Sequence, residues 1–385
     1  MSVASRSCAL SLNLSHLIPS LPPSLSSTAP QSELAFRMLC RRHGATAAYT
    51  PMLHARLFDE APAYREEHFT TCPGDRPLLA QFCGHDPATV LGAAARVAAR
   101  VDAVDLNLGC PQRIARKGRY GAFLMDDPAT VTAIIAALAR GLPVPVTAKM
   151  RVFPDVDRTV AFAKALEGAG ASLVAVHGRT REQKEASAHA ADWAQIAAVK
   201  AALRVPVLAN GGVLTLADAE ACMAATGADG VLSAIPLLEN PALFSATRPP
   251  AADADPAAGA LLALEYAELV ALHPTPPRMV RGHAHRLMGP WLAEFTDLRD
   301  ALGAGGLDGP ALEAIAGECV ARIRACERGG RTTPIPALSA RALARLEKEE
   351  AIAAAVAEAA REEAALAAIG VVGEEAAAER SAACV

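Results

Sequence analysis

The sequence predicts an α/β protein built as a (β/α)8 TIM barrel with a degenerate first strand, followed by a small C-terminal helical domain. Two observations carry this reading. Short apolar runs recur, each followed by a helix-like segment: "TAAYTPM", "LLAQFCG", "AVDLNLG", "PVTAKM", "LVAVHG", "VPVLANGG" and "DGVLSA". Strands alternating with helices build a parallel sheet, and this many over about 190 residues suit a barrel better than an open doubly wound sheet. The second observation is what stands at the ends of these runs: Gln81, Asn107, Cys110, Lys149, Arg151, His177, Arg179, Asn210, Gly211 and Gly212. In a barrel the C-terminal strand ends share one rim, where active sites lie.

The elements follow in order. Residues 1–30 contain no Asp or Glu, one arginine (Arg6) and the run "PSLPPSLSSTAP". They predict a disordered leader, although an acid-free, Ser-rich start also suits an organelle transit peptide. "SELAFRMLCRRHG" reads as a helix with Ser32 as N-cap and Gly44 as its stop. A barrel needs a strand before that helix. The sequence offers "LSHLIPSLPPSL", whose prolines remove ladder donors. The barrel is expected over residues 31–247, with helices such as "DPATVLGAAARVAAR" and "TVAFAKALEGAG" between strands. "SATRPPAADADPAAG" reads as a linker. Residues 248–330 read as three helices, and residues 331–385 as an Ala/Glu-rich tail without a clean apolar face.

Composition bounds the function. The chain has 385 residues, 52% of them hydrophobic, enough for a full core. Net charge is -4, so contact with nucleic acid must come from local basic patches. The nine cysteines include no C-x-x-C pair. This argues against a disulfide framework or a bound metal and for a reducing compartment. No apolar run reaches the roughly 18 residues of a membrane span.

The stretch "DLNLGCPQRIARKGRYGAFL" carries the chemistry. Cys110 lies between Gly109 and Pro111 at a strand end, where a turn can aim its thiol into the barrel mouth. Cys40, Cys83 and Cys222 lie in or beside apolar segments and read as inert core thiols. A nucleophilic Cys110 would need a partner base; as an acid it must stay protonated, which an ordinary thiol pKa of about 8.5 permits. Taken singly, Gln81 could be a strand-ending amide, Lys149 a surface lysine, His177 a turn cap and "NGG" a tight turn. Together on one rim they read as a site for a polar cofactor, with glycines at the last strands suited to phosphate.

The segments "LNLGCPQRIARKGRYGAFLM", "TAKMRVF", "VHGRTREQK", "LANGGV" and "YTPMLHARLF" resemble the tRNA-dihydrouridine synthases, over about residues 30–302. "GCPQ", "HGRTREQK" and "LEYAELVALHPTPPRMVRGH" resemble the eukaryotic tRNA-dihydrouridine(16/17) synthase-like branch. The resemblance implies an FMN-dependent barrel with a helical RNA-binding domain. It implies reduction of uridine to 5,6-dihydrouridine in the D-loop of tRNA, driven by NADPH or NADH. It makes Cys110 the proton donor and gives FMN contacts to Gln81, Lys149, His177, Asn210, Gly211, Gly212 and Ala234. Contacts to tRNA fall to Asn107, Arg113, Arg116, Lys117, Arg119, Arg151, Arg179 and Arg281. Arg181, Lys184, Arg278, His283, His285 and Arg286 extend the basic clusters. A monomer in the cytoplasm or nucleus is expected, with an organelle as the alternative.

Two departures stand out. The segment before "PQSELAFR" lacks the family's Ala-Pro-Met strand end, and "LSAIPLLENP" puts Pro236, which has no N–H, where a phosphate-binding turn is expected. They leave two competing readings: a non-catalytic tRNA-binding homologue with a damaged flavin site, and a flavin reductase of free pyrimidines.

Overall fold

The computed structural model describes residues 31–184, 189–245 and 255–335. Its strands are β1 (Ala48–Tyr49), β2 (Leu53–His54), β3 (Leu78–Cys83), β4 (Ala103–Leu108), β5 (Val146–Arg151), β6 (Leu173–His177), β7 (Val207–Asn210) and β8 (Gly230–Leu232). All pair in parallel in the order β1-β3-β4-β5-β6-β7-β8, and β2 also pairs with β3. β1 and β2 are thus one strand position interrupted at residues 50–52, where Pro51 has no ladder donor. The architecture is that of a (β/α)8 barrel, with seven strand positions among the described residues. The expected first strand, "LSHLIPSLPPSL", lies outside them, as do the leader 1–30, most of the linker and the tail beyond residue 335.

The helices between strands are α1 (Leu34–Arg42), α2 (Ala55–Glu60), α3 (Pro62–His68), α4 (Pro87–Ala95), α5 (Arg113–Lys117), α6 (Pro128–Gly141), α7 (Val156–Gly168), α8 (Trp193–Ala202), α9 (Leu216–Thr226) and α10 (Ile235–Glu239). Their starts are written in the sequence. Asp86 and Asp127 each precede a proline and accept a bond from the N–H three residues on, at Thr89 (2.8 Å) and Thr130 (3.1 Å). Proline suits a first helical position because its missing N–H would be unpaired there anyway. Asp155 and Asp192 cap α7 and α8, and Thr215 with Asp218 forms a capping box on α9.

The start of α1 departs from expectation. Glu33, not Ser32, holds the N-cap position, and the Ser32 hydroxyl has no partner among the described residues. Glu33 is instead drawn toward the later helices, where it accepts from the Tyr266 hydroxyl at 2.6 Å. Gly44 does end α1. Its φ is +93°, and a Cβ there would lie 2.7 Å from the Phe244 carbonyl oxygen.

Strand parity divides the barrel into two apolar groups. Phe82, Val104, Leu106, Ala148, Met150 and Val174 face the surrounding helices in the main core. Tyr49, Leu79, Ala103, Leu173, Ala175 and Leu208 form a separate inner cluster. Side chains alternate along a strand, so Gln81, Asp105, Asn107, Thr147, Lys149, Arg151, His177 and Asn210 share the inner parity and sit above that apolar floor.

After the barrel come α11 (Ala258–Leu272), α12 (Pro277–Leu292), α13 (Thr296–Gly303) and α14 (Gly309–Arg328). Three of these match the helices expected over residues 248–330, and α13 is a fourth. α11 packs along α14 and against α1, and the described residues through Thr333 belong to one compact unit. α12 buries Val280, His283, Ala284, Leu287, Met288 and Trp291, a single stripe at helical spacing. His283 is therefore a core residue, stacked on Phe36 at 4.0 Å, and does not belong to a basic surface.

Candidate active site at the barrel mouth

Cross-strand register arranges the inner polar residues in rows. Gln81 opposes Asp105, which opposes Thr147. Asn107 opposes Lys149, and Arg151 opposes His177, which opposes Asn210. The rim expected from the sequence thus forms, and five strands bring these residues together.

Cys110 lies just beyond β4, half-buried, and its backbone is held from three directions. Its N–H and that of Gly109 donate to Asn107 Oδ1 at 3.0 and 3.1 Å. The Gly109 carbonyl accepts from Arg151 Nε at 2.8 Å. The Cys110 carbonyl accepts from the Ala122 N–H at 3.0 Å, where the 3-10 turn Gly121–Asp126 folds back. Gly121 makes that approach possible: its φ is +64°, and a Cβ would sit 2.7 Å from the Cys110 oxygen. Cys83 packs near Cys110 with Tyr120, but burial pushes its thiol up to about 12, so it stays an inert neighbour.

Lys149 is 3% exposed. Its Nζ donates to Asn210 Oδ1 at 3.1 Å, and among the described residues no carboxylate lies within ion-pair reach. Burial, with Arg151 nearby, lowers it to about 8. His177 is pushed well below its ordinary range by burial and by Lys149, Arg151 and Arg179. A guanidinium only donates, so the 3.1 Å contact from Arg179 makes His177 Nε2 the acceptor and puts the ring proton on Nδ1. Asn210 donates to the Leu232 carbonyl at 2.9 Å. Gly211 and Gly212 both have positive φ, +103° and +80°. A Cβ on Gly211 would strike the His177 ring at 2.9 Å, so that turn needs glycine.

Other expected residues fall as follows. Arg151 is 6% exposed, its guanidinium also donating to the carbonyls of Thr180 and Gln183. Arg179 is buried and donates to the His189 carbonyl at 2.7 Å. Arg113, Arg116, Lys117 and Arg119 are exposed around α5. Ala234 is the N-cap position of α10, with Pro236 in its first turn. There the missing N–H costs no helical bond, although it still removes one donor from the turn. Arg281 lies in α12, bonded to the Leu302 carbonyl at 2.7 Å.

Comparison with known proteins decides the family. The family described as dihydrouridine synthase (Dus) matches residues 25–276. The chain belongs to the dihydrouridine synthase family. It is 47% identical over 274 residues to a rat protein named tRNA-dihydrouridine(16/17) synthase-like, covering 71% of this chain and 61% of that one. It is 42% identical over 297 residues to the Schizosaccharomyces pombe protein named tRNA-dihydrouridine(16/17) synthase, covering 73% and 72%. A human protein named tRNA-dihydrouridine(20a/20b) synthase-like is 37% identical over 217 residues, covering 56% and 68%. The chain thus spans about three fifths of the rat relative's length.

Within this dihydrouridine synthase fold, the floor of the site holds two residues not expected from the sequence. Asp105 and Thr147 are fully buried, and burial pushes the Asp105 carboxyl up to about 6. One signal was readable: an aspartate inside the apolar run "AVDLNL" needs buried partners. Gly121 gave no readable signal, because its partner is a backbone atom brought back by the fold. Among the described residues no cluster of His, Cys, Asp and Glu could hold a metal ion, and no helix is long and apolar enough to cross a membrane.

Proposed function

We propose that this dihydrouridine synthase reduces uridine to 5,6-dihydrouridine in the D-loop of tRNA, with FMN as cofactor and NADPH or NADH as reductant. One observation carries the reading: a cysteine fixed at a strand end stands on the same rim as a buried ammonium that has no carboxylate within ion-pair distance among the described residues and feels Asp105 only at longer range. Such an ammonium fits an electron-rich, anionic group. Gln81, Lys149, His177, Asn210, Gly211, Gly212 and Ala234 would hold FMN. When bound and reduced by the nicotinamide, FMN supplies a hydride to one carbon of the uracil C5–C6 double bond.

The chain's own residues do the rest. The Cys110 Sγ–H gives its proton to the other carbon and regains one from solvent. Hydride plus proton saturate the double bond, so the reaction balances. Lys149 holds positive charge where negative charge collects. His177, neutral, offers an Nδ1–H donor without adding a cation. A uridine in folded tRNA must leave its stack to reach the barrel mouth. The exposed cations Arg113, Arg116, Lys117 and Arg119 stand immediately beyond Cys110 and can hold the phosphates of an extruded nucleotide.

The test is direct. The purified chain is scanned for flavin absorbance and then incubated with unmodified tRNA and NADPH, and dihydrouridine is counted by mass spectrometry. Flavin colour and tRNA-dependent product are expected. A protein that takes up no FMN yet binds tRNA is the non-catalytic homologue. One that reduces free uracil or uridine but not tRNA is the pyrimidine reductase.

A further inference from the structure

We propose that Asp105 is a positioning residue that sets the donor–acceptor direction of a hydrogen-bonded chain ending on the backbone of Cys110. The inference deepens the reading above and rests on Cys110 as the proton donor.

The chain can be followed atom by atom. Asp105 Oδ1 accepts from the Thr147 hydroxyl at 2.6 Å, and Oδ2 accepts from Gln81 Nε2 at 2.9 Å. Gln81 Oε1 accepts from Asn107 Nδ2 at 2.7 Å. Asn107 Oδ1 accepts from the N–H groups of Gly109 and Cys110. Asp105, Gln81 and Thr147 are fully buried and Asn107 nearly so, so water cannot substitute for a lost partner.

A side-chain amide can face either way, and only its neighbours decide which end donates. This chain has two ends that cannot reverse. An ionised carboxylate only accepts, and a backbone N–H only donates. Two amides between them can be ordered in one direction alone: NH2 toward Asp105, oxygen toward Cys110. Without the carboxylate, the backbone N–H end still orders Asn107, but Gln81 Nε2 is left buried with no acceptor. Gln81 must then shift or turn to pair that NH2, which weakens its bond from Asn107 Nδ2 and loosens Asn107 from the Cys110 turn. The groups facing Asp105 are Gln81 from β3, Thr147 and Lys149 from β5, and Tyr49 from β1, whose hydroxyl is pushed above its ordinary range by burial and by Asp105.

The test is the rate at which iodoacetamide alkylates Cys110 in the full-length, flavin-loaded protein, read by peptide mass spectrometry. Alkylation of Cys40, Cys222 and Cys319, all buried, reports whether the fold is intact. Asp105→Leu should speed Cys110 labelling roughly 5–10-fold, the equivalent of one lost hydrogen bond, and lower kcat without a matching change in KM for tRNA. Asp105→Asn should label at the wild-type rate. Its oxygen can meet Gln81 while its NH2 meets the Thr147 hydroxyl oxygen, so the direction survives without the charge. The double variant Asp105→Asn with Thr147→Val keeps shape and neutrality but removes the group that orients the new amide. It should label like the Leu variant, and it serves if Asp105→Leu does not fold. Wild-type labelling in the double variant, or Asp105→Asn as damaged as Asp105→Leu, overturns the proposal. Failure of the functional reading is separate: it would show as product formation by Cys110→Ala, with the labelling order unchanged.

Discussion

Arg113, Arg116, Lys117 and Arg119 crowd one exposed turn after β4, and among the described residues none makes an ion pair or hydrogen bond through its charge. The helices after the barrel are as rich in arginine, yet most of their cations are occupied, Arg286 and Arg328 excepted. Arg322 is held by Asp297 at 2.8 Å and by Glu318 at 2.8 Å, and Arg324 by Asp255 and Glu327. Arg331 meets Glu294, and Arg278 meets Glu67 at 2.6 Å. The same residue type therefore serves two ends. In the helical region it ties elements together. Beside Cys110 it stands exposed without an ion pair among the described residues.

The largest expected effect tests whether that corner holds the chemistry. Cys110→Ala should lower dihydrouridine formation about 10²–10⁴-fold, the usual worth of a positioned acid. Flavin content and NADPH oxidation by oxygen should stay near wild type. Single-turnover product formation at the wild-type rate would remove Cys110 from the mechanism.

Next comes Lys149. Its replacement by Met should weaken FMN binding about 10–100-fold, as for a lost charge-assisted hydrogen bond. Turnover in the unaltered protein should fall as pH rises above about 8, the value burial gives Lys149 before an anionic group beside it raises it. Lys149→Arg should push that fall to higher pH. Stability moves the other way. The folded value lies below the unfolded one of about 10.4, so between the two the unfolded chain holds more protons. The contribution of Lys149 to apoprotein stability therefore rises with pH from about 8 to about 10. A denaturation series across that range checks the sign, using Lys149→Met as the reference that lacks the rise.

A smaller effect separates the two arginine-rich regions. Removing all four charges around α5 should weaken tRNA binding and reduce the salt dependence by about 3–4 in the log–log slope if each meets a phosphate. Flavin content should not change. The smallest effect is expected in the helical region. Arg322→Ala and Arg324→Ala should lower the melting temperature slightly and leave tRNA affinity and its salt slope as they were. Equal losses of affinity in both sets would show that the two arginine-rich regions do not differ in this respect.

The departures at the two ends of the barrel can be sharpened the same way. Pro236→Gly restores an N–H to the first turn of α10 and should tighten FMN by up to about tenfold if that donor reaches phosphate. Titration of FMN into the apoprotein measures it, and an unchanged Kd would show that this turn does not bind phosphate.

Much of this protein is fixed by local rules. Continuous apolar runs buried on both faces become parallel strands, Asp-Pro starts helices, and Gly44 ends one. The inner rim at Gln81, Asn107, Lys149, His177 and Asn210 was legible because polar residues close several successive apolar strands, a coincidence that packing of any one of them does not explain. Which partner each would take was not legible. Asp105 meets Gln81 24 residues away and Thr147 42 residues away, and His283 turns inward to stack on Phe36. α13 is only eight residues long, and it packs against α12 and α14. The free charges beside α5 and the tied ones on α14 look alike in one dimension. Sequence determines which side chains carry charge and which segments bury apolar surface. Only the folded chain decides which charges meet, because a Coulomb or hydrogen-bond partner is chosen by distance in space and not by separation along the chain.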